Sequence, residues 1–333
     1  MSWDWTPETL ARLGNFLAGK GICGPDVSTR RIGDGHSNLT YLVGDGATSV
    51  VVRRPPPPPT PPGAHDMLRE ARLLGALEDT PVPVPRVLAT AEAGEVLDVP
   101  CYAMSYAEGP VVTTSTPPPL DEPGVRQQVA EDLVDVLVEL HAVEWESAGV
   151  TGRPEGFNRR HLESLGRLVR DDPPPGFAEL RDWLVTNAPP ESGAAIVHND
   201  FRIGNVVLAP DRPGRVAAVL DWELATIGDP LFDLGYFLAS VPEGAARTAT
   251  EELGSAMLED GYPTRSELAQ RYARRTGCDL SGLPWYVALA QWKLAALYEY
   301  QRRRGTDAYY DDPGLVAAFV SAGHRAAGIE EHA

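Results

Sequence analysis

Three side chains able to move a proton or hold a cation fall within a short span of the chain. In "IVHNDFRIGNVVL", residues 196–208, the polar residues His198, Asn199, Asp200, Arg202 and Asn205 interrupt two apolar runs, and Asp221 follows in "VLDWE". The side-chain oxygens of Asn205 and Asp221 suit a hard cation. Magnesium is commonly held by one or two protein oxygens together with substrate phosphate. Asp200 is then free to accept a proton from a hydroxyl. An aspartate, an asparagine shortly after it, and a second aspartate beyond a hairpin form the layout of phosphoryl transfer.

Those residues need a frame that returns the chain to its starting point. Two short apolar strands, 206–208 and 216–220, joined by the turn "APDRPGR", read as a hairpin. Asp200 and Asn205 lie in the loop entering it and Asp221 immediately beyond it, so the three can converge. Upstream, Thr6 and Pro7 start a short helix over 6–18, with Leu10, Leu13 and Leu17 on one face. Strands are predicted at about 27–32, 39–43 and 48–53, turning at Gly44-Asp45-Gly46, and again near 86–91 and 101–106. Between the third and fourth, "AHDMLREARLLGALE" has helical spacing. Segments 124–142 and 284–303 are strongly helical. The expected class is α+β: a five-stranded antiparallel sheet with one inserted helix over 1–105, then a larger, mainly helical part over 106–333. "PPPPPTPPG", from Pro55, reads as a stiff surface loop, with a docking segment for a proline-recognition partner as the alternative.

Composition narrows the partners. The 333-residue chain carries a net charge of −18, which argues against nucleic acid or an anionic membrane. The acidity leaves room for a cationic small substrate, or serves solubility alone. No run is long and apolar enough to span a membrane, and the first residues do not read as a signal peptide. Cys23, Cys101 and Cys278 offer neither a disulfide framework nor a metal site, so the expectation is a reduced, cytoplasmic protein. Lysine occurs only at Lys20 and Lys293, which limits what can hold a phosphate.

"HNDFRIGN" and "LDWE" resemble the catalytic and metal loops of the aminoglycoside phosphotransferase and choline kinase family, which has the protein-kinase-like two-lobe fold. The stretches "GHSNLTYLV", "AHDMLREARLL", "VPVPRVL", "LHAVEW", "VLDWELATIGDPLFDLGY" and "QWKLAALYEY" are similar, more closely, to the phosphotransferase domains related to those fused to acyl-CoA dehydrogenases. The resemblance implies an ATP- and Mg2+-dependent enzyme. Asp200 matches the catalytic base, Asn205 and Asp221 the magnesium ligands, and His198 a histidine that organises the loop. Arg202 is grouped with the catalytic residues. Asp229 and Asp233 are expected to hydrogen-bond the catalytic loop, although Asp233 could equally be an ordinary helix residue. "GDGHSN", holding Gly33, Gly35, His36, Ser37 and Asn38, takes the phosphate-loop position. Where kinases place a lysine, Arg53 matches, with Arg54 disfavoured by strand alternation, and Glu70 is the expected partner. The resemblance puts adenine against the backbone near Ser105, Tyr106 and Ala107, with Met104 lining the pocket.

The chain departs from the family at Asn199, where glycine is usual. Asparagine tolerates a left-handed backbone, so it reads as a stand-in. Lys293 is expected to reach along its helix to solvent. The acceptor is a small molecule bearing a hydroxyl. An antibiotic of the aminoglycoside type predicts acidic side chains in the cleft, Glu299, Asp307, Asp311 and Asp312 among them. A hydroxyacyl compound or its CoA thioester predicts a basic patch, from Arg159, Arg160, Arg302, Arg303 and Arg304. A non-catalytic nucleotide-binding protein is the alternative from another class. A metal hydrolase built on His198, Asp200 and Asp221 lacks a histidine-rich cluster. The sequence leaves the oligomeric state open.

Overall fold

Thr6 accepts the Thr9 amide and Thr9 returns the bond to the Thr6 backbone, a capping box that opens α1 (Pro7–Gly19). The structure is a computed structural model describing residues 5–33, 38–56, 65–118, 120–242, 251–305 and 307–329. It divides into two compact units, Met1–Glu108 and Gly109–Ala333.

In the first unit α1 is followed by β1 (Ser28–Arg31), β2 (Leu39–Gly44), β3 (Ser49–Arg54), α2 (Met67–Leu77), β4 (Val87–Ala91) and β5 (Cys101–Ser105). The strands form one sheet in the order β1-β2-β3-β5-β4, with every pair antiparallel. Gly46, at φ +91°, and Asp45, which accepts the amides of Ala47 and Thr48, close the β2–β3 turn. Leu13 and Leu17 of α1 join Tyr41, Val43, Val50 and Val52 in one buried cluster. Side chains alternate across a strand. Val50 and Val52 therefore face α1, and Arg54 follows them, its guanidinium 5.3 Å from the rings of both Trp5 and Tyr41. Arg53 takes the opposite face, toward α2.

The second unit contains α3 (Pro123–His141), α4 (Phe157–Gly166), α5 (Phe177–Thr186), β6 (Ala195–Val197), β7 (Val206–Leu208), β8 (Val216–Val219), β9 (Thr226–Gly228), α6 (Pro230–Ser240), the one-turn α7 (Glu251–Gly254), α8 (Arg265–Thr276), α9 (Leu283–Arg304) and α10 (Pro313–Ala327). Most of α9 is buried, from Trp285 to Glu299, which makes it the central helix of this unit. It lies against α6 at Gly235, where a Cβ would come within 2.7 Å of the Tyr286 side chain. Only glycine admits that approach. Among the described residues no helix is long and apolar enough to cross a membrane.

Candidate active site

Two short ribbons bring the chemistry together. β6 pairs with β9 (Ala195↔Gly228 to Val197↔Thr226) and β7 pairs with β8 (Val206↔Val219 onward). The loop from β6 to β7, residues 198–205, and the loop from β8 to β9, residues 220–225, therefore start and end side by side. Beyond the β7–β8 ladder the Leu220 amide donates to the Asn205 carbonyl at 2.8 Å. Asp221 is thus one residue from a direct backbone contact with Asn205.

Asp200 is the centre of the first loop. Its Oδ1 accepts the Tyr236 hydroxyl at 2.6 Å and its Oδ2 accepts Asn205 Nδ2 at 2.8 Å. Arg202 Nε stands 3.8 Å from Oδ1, and the Asp200 side chain remains 20% exposed, so a reacting group can reach it. Each carboxylate oxygen has two acceptor sites, and these bonds leave capacity on both. Burial, and then the Asp200 charge beside it, push the Tyr236 phenol well above its ordinary range, so it stays a donor. With the Asn205 amide nitrogen turned to Asp200, the amide oxygen is the atom left for a cation. Asp221 supplies a carboxylate from the adjoining loop. No cluster of three or more His, Cys, Asp or Glu suited to a metal occurs among the described residues. Two protein oxygens completed by phosphate and water fit magnesium, which dehydrates reluctantly and keeps several waters.

Both loops carry a left-handed residue that is not glycine: Asn199 at φ +67° and Asp221 at φ +66°. Such conformations persist where the surroundings over-determine them. At Asn199 the surroundings are explicit. Buried Asp233, on α6, accepts the His198 amide at 2.5 Å and the Asn199 amide at 2.8 Å, so it is no ordinary helix residue. His141 of α3 stands 3.5 Å from the same carboxylate. His198 Nε2 donates to the Leu220 carbonyl at 2.9 Å, leaving Nδ1 to accept the Asp200 amide at 3.2 Å. Its ring also packs on Trp222, centroids 4.7 Å apart. His198 therefore spans both loops.

Three expectations are corrected here. Asn199 is more than a substitute for glycine, because its Nδ2 donates to the Leu224 carbonyl at 2.8 Å and ties the first loop to the second. Asp229 does not bond the catalytic loop: it caps α6 and takes Ser192, Asn158 and Tyr286, the last at 2.5 Å. Lys293 does not reach solvent. It is 3% exposed, its ammonium donates to the Asn199 carbonyl, and it lies over the rings of Tyr236 and Phe232 at 4.6 and 5.1 Å.

The first unit holds the residues matched to the nucleotide. Arg53 forms a buried ion pair with Glu70, while Arg54 bonds the Tyr41 hydroxyl at 3.2 Å on the other face. Asn38 is buried and its Oδ1 meets His65 Nδ1 at 2.9 Å. Gly33 is left-handed, at φ +73°, whereas Gly35, His36 and Ser37 lie outside the described residues, as do residues 57–64 of the proline-rich segment. The Ser105 amide already donates to the Arg86 carbonyl at 2.8 Å, which takes that N–H away from any base. Tyr106 and Ala107 follow beyond the strand, and Met104 is buried opposite Val51 and Val87.

Several of the charged residues considered for substrate recognition are engaged in local contacts. Glu299 pairs with both Arg302 and Arg303 at 2.7 Å. Arg160 bonds the carbonyls of Glu155 and Arg153, and Arg304 lies 5.8 Å from the Tyr300 ring. Asp307 and Asp312 cap local turns through the amides of Tyr309 and Gly314. Sequence reasoning missed Tyr236 and misplaced Lys293. The available signal for Tyr236 was its position three residues after Asp233, on the same face of α6.

Sheet, paired ribbons and loop constellation together define the kinase-like, aminoglycoside phosphotransferase fold. Residues 28–268 match the model of the phosphotransferase enzyme family, and the chain belongs to that family. Acyl-CoA dehydrogenase family member 11 of Gallus gallus is 31% identical over 285 residues, which cover 81% of this chain and 36% of that protein. The chain spans about a third of the length of the curated relatives it matches. Among solved structures, a candidate aminoglycoside phosphotransferase of Ralstonia eutropha JMP134 superposes with a TM-score of 0.77 at 27% identity, covering 96% of this chain and 98% of that one. The aminoglycoside phosphotransferase APH(4)-Ia, in complex with AMP-PNP and hygromycin B, shares the fold (TM-score 0.63, 19% identity, 96% and 99% covered).

Proposed function

We propose that the chain transfers the γ-phosphate of ATP to a hydroxyl group of a small molecule, with Asp200 as the base that receives the hydroxyl proton. One observation carries this: a partly exposed carboxylate, held on one side by Tyr236 and on the other by Asn205, in a loop laid against the one that presents Asp221. Asn205 Oδ1 and Asp221 would hold Mg2+, which supplies charge neutralisation at the transferring phosphate. Arg53, oriented by Glu70, is the residue assigned to the nucleotide phosphates, and Arg202 is assigned to charge developing beside Asp200. Tyr106 and Ala107 are assigned to the base.

Two acceptor classes are carried forward. The general family supports an aminoglycoside-like or related natural product. The second class, a hydroxyacyl compound or its CoA thioester, draws on the acyl-CoA dehydrogenase relatives and on one feature of the second unit. Tyr298, Tyr309 and Tyr310 pack together, centroids 5.0–6.0 Å apart. Burial, and then the neighbouring Tyr309 and Asp307, push Tyr310 up to about 12. With Glu299 held in ion pairs, that cluster favours an apolar acceptor over a polycation.

The test is ATP consumption at fixed magnesium across a panel of both classes, with Asp200→Ala as control. Magnesium-dependent transfer to a panel member, lost in the control, supports the proposal. Transfer to no acceptor, with no magnesium-dependent ATP binding, refutes it and leaves a non-catalytic protein.

A further inference from the structure

Lys293 is one of two lysines in the chain and sits in the middle of the buried helix α9. An ammonium taken from water is costly unless it is paired and hydrogen-bonded. Here it meets five groups: the Asn199 carbonyl, the ring faces of Tyr236 and Phe232, and the negative charges of Asp200 and Asp233. The backbone of Asn199 is consequently gripped from two helices. Asp233 of α6 takes its N–H and that of His198, and Lys293 of α9 takes its C=O. The next residue is Asp200.

We propose that Lys293 is a positioning residue of the phosphotransfer site: its ammonium, opposed by Asp233, holds Asn199 in its left-handed turn and so aims the Asp200 carboxylate. Several observations converge on this. The Asp233 carboxylate and the Lys293 ammonium meet the N–H and the C=O of one residue, Asn199, and their helices α6 and α9 pack closely at Gly235. Tyr236, whose ring the ammonium faces, is also the residue that donates to Asp200 Oδ1. One cation thus braces the loop backbone directly and lies against the donor that holds the carboxylate.

The groups facing the ammonium are Asp200 from the loop, Asp233 and Tyr236 from α6, and His161 from α4. Burial, partly offset by the two aspartates, lowers Lys293 to about 8. Burial and the Lys293 charge push His161 well down, and Tyr236 is pushed well up. Below about pH 8 the charged clamp is present; above it the clamp weakens to a neutral amine.

The role rests on Asp200 acting as proposed, so the test has two arms. The first is hydrogen–deuterium exchange of the full chain, comparing Lys293→Met with wild type in peptides spanning 196–208, with α10 and β1–β3 as references. Exchange of amides 198–205 is expected to accelerate about tenfold or more in the variant while the references hold. Wild-type protection, corrected for intrinsic exchange, should fall with a midpoint near pH 8, and the variant should show no such step. The second arm is steady-state kinetics on any acceptor found, where kcat should drop about tenfold or more with little change in KM for ATP. Unchanged loop protection in Lys293→Met, or equal acceleration in loop and references, would overturn the proposal. If the variant does not fold, the wild-type pH series decides, and a flat series overturns it. A wild type that turns over no acceptor counts against the kinase reading, while the exchange arm still decides Lys293.

Discussion

Asn199 offers a measurement in which two physical effects pull a variant series into a definite order. The residue has φ +67°, is buried, and donates its side-chain amide to the Leu224 carbonyl at 2.8 Å. Replacement by alanine keeps a Cβ in the left-handed region, at about 1–2 kcal/mol, and deletes a hydrogen bond worth about 1 kcal/mol. Asparagine already carries part of the first cost, so Asn199→Ala should destabilise by roughly 2 kcal/mol. Asn199→Gly removes the conformational cost. It still loses the bond and adds unfolded-state entropy of about 0.5–1 kcal/mol, for a net loss of roughly 1–2 kcal/mol. The expected order is wild type, then glycine, then alanine, spread over roughly 2 kcal/mol. Urea unfolding followed by fluorescence at several wavelengths measures it. A glycine variant as stable as wild type would show that the tether between the loops weighs no more than the backbone strain that glycine relieves. An alanine variant equal to glycine would show that the left-handed backbone costs no more than the unfolded-state entropy that glycine adds.

Three further outcomes follow from particular contacts. Asp233→Ala strands two buried amides and removes a charge facing Lys293, so it should cost about 3–5 kcal/mol and lower the thermal midpoint by roughly 10 °C; calorimetry checks this. Glu70→Gln breaks the buried pair with Arg53 and should destabilise by about 3–5 kcal/mol, whereas the Arg53→Met/Glu70→Met double variant should lose less; a double-mutant cycle measures the difference. The amides of Gly24, Thr48 and Ala47 hold Asp45 at about 2, below its unfolded value of 3.8. Its contribution is therefore complete above about pH 4 and lost as the pH falls through about 2. The thermal midpoints of wild type and Asp45→Asn should differ at pH 7 and converge toward pH 2; a constant gap would contradict the assignment.

What the sequence made legible is what local rules govern. Alternation along "SVVVRR" separates Arg53 from Arg54, and the structure sends them to opposite faces of β3. The hairpin over 206–220 predicts that Asn205 and Asp221 approach, and the Leu220–Asn205 backbone bond brings their loops together. The contacts that escaped depend on which helices meet. Lys293 looked like a solvent-reaching lysine because a helix end or edge usually lets the ammonium escape, but α9 is covered on all sides by its neighbours. Asp229 and Asp233 look equivalent in "GDPLFDLGY". One turn of helix separates them, so Asp229 caps the helix start and Asp233 faces the loop. The mutual neutralisation of Glu299 with Arg302 and Arg303 depends on helical spacings of three and four that were visible in "YEYQRRR", yet read first as two opposed patches.

The scarcity of lysine has a practical side. Lys20 is exposed at the end of α1, while Lys293 is buried in the second unit. Of the two side-chain amines, an acylating reagent applied to the native protein would meet Lys20 first. A dye or surface linker attached that way would sit at one known address. Slow appearance of label on Lys293 would then clock how often the interior around the 198–205 loop opens, with no reporter engineered into the chain.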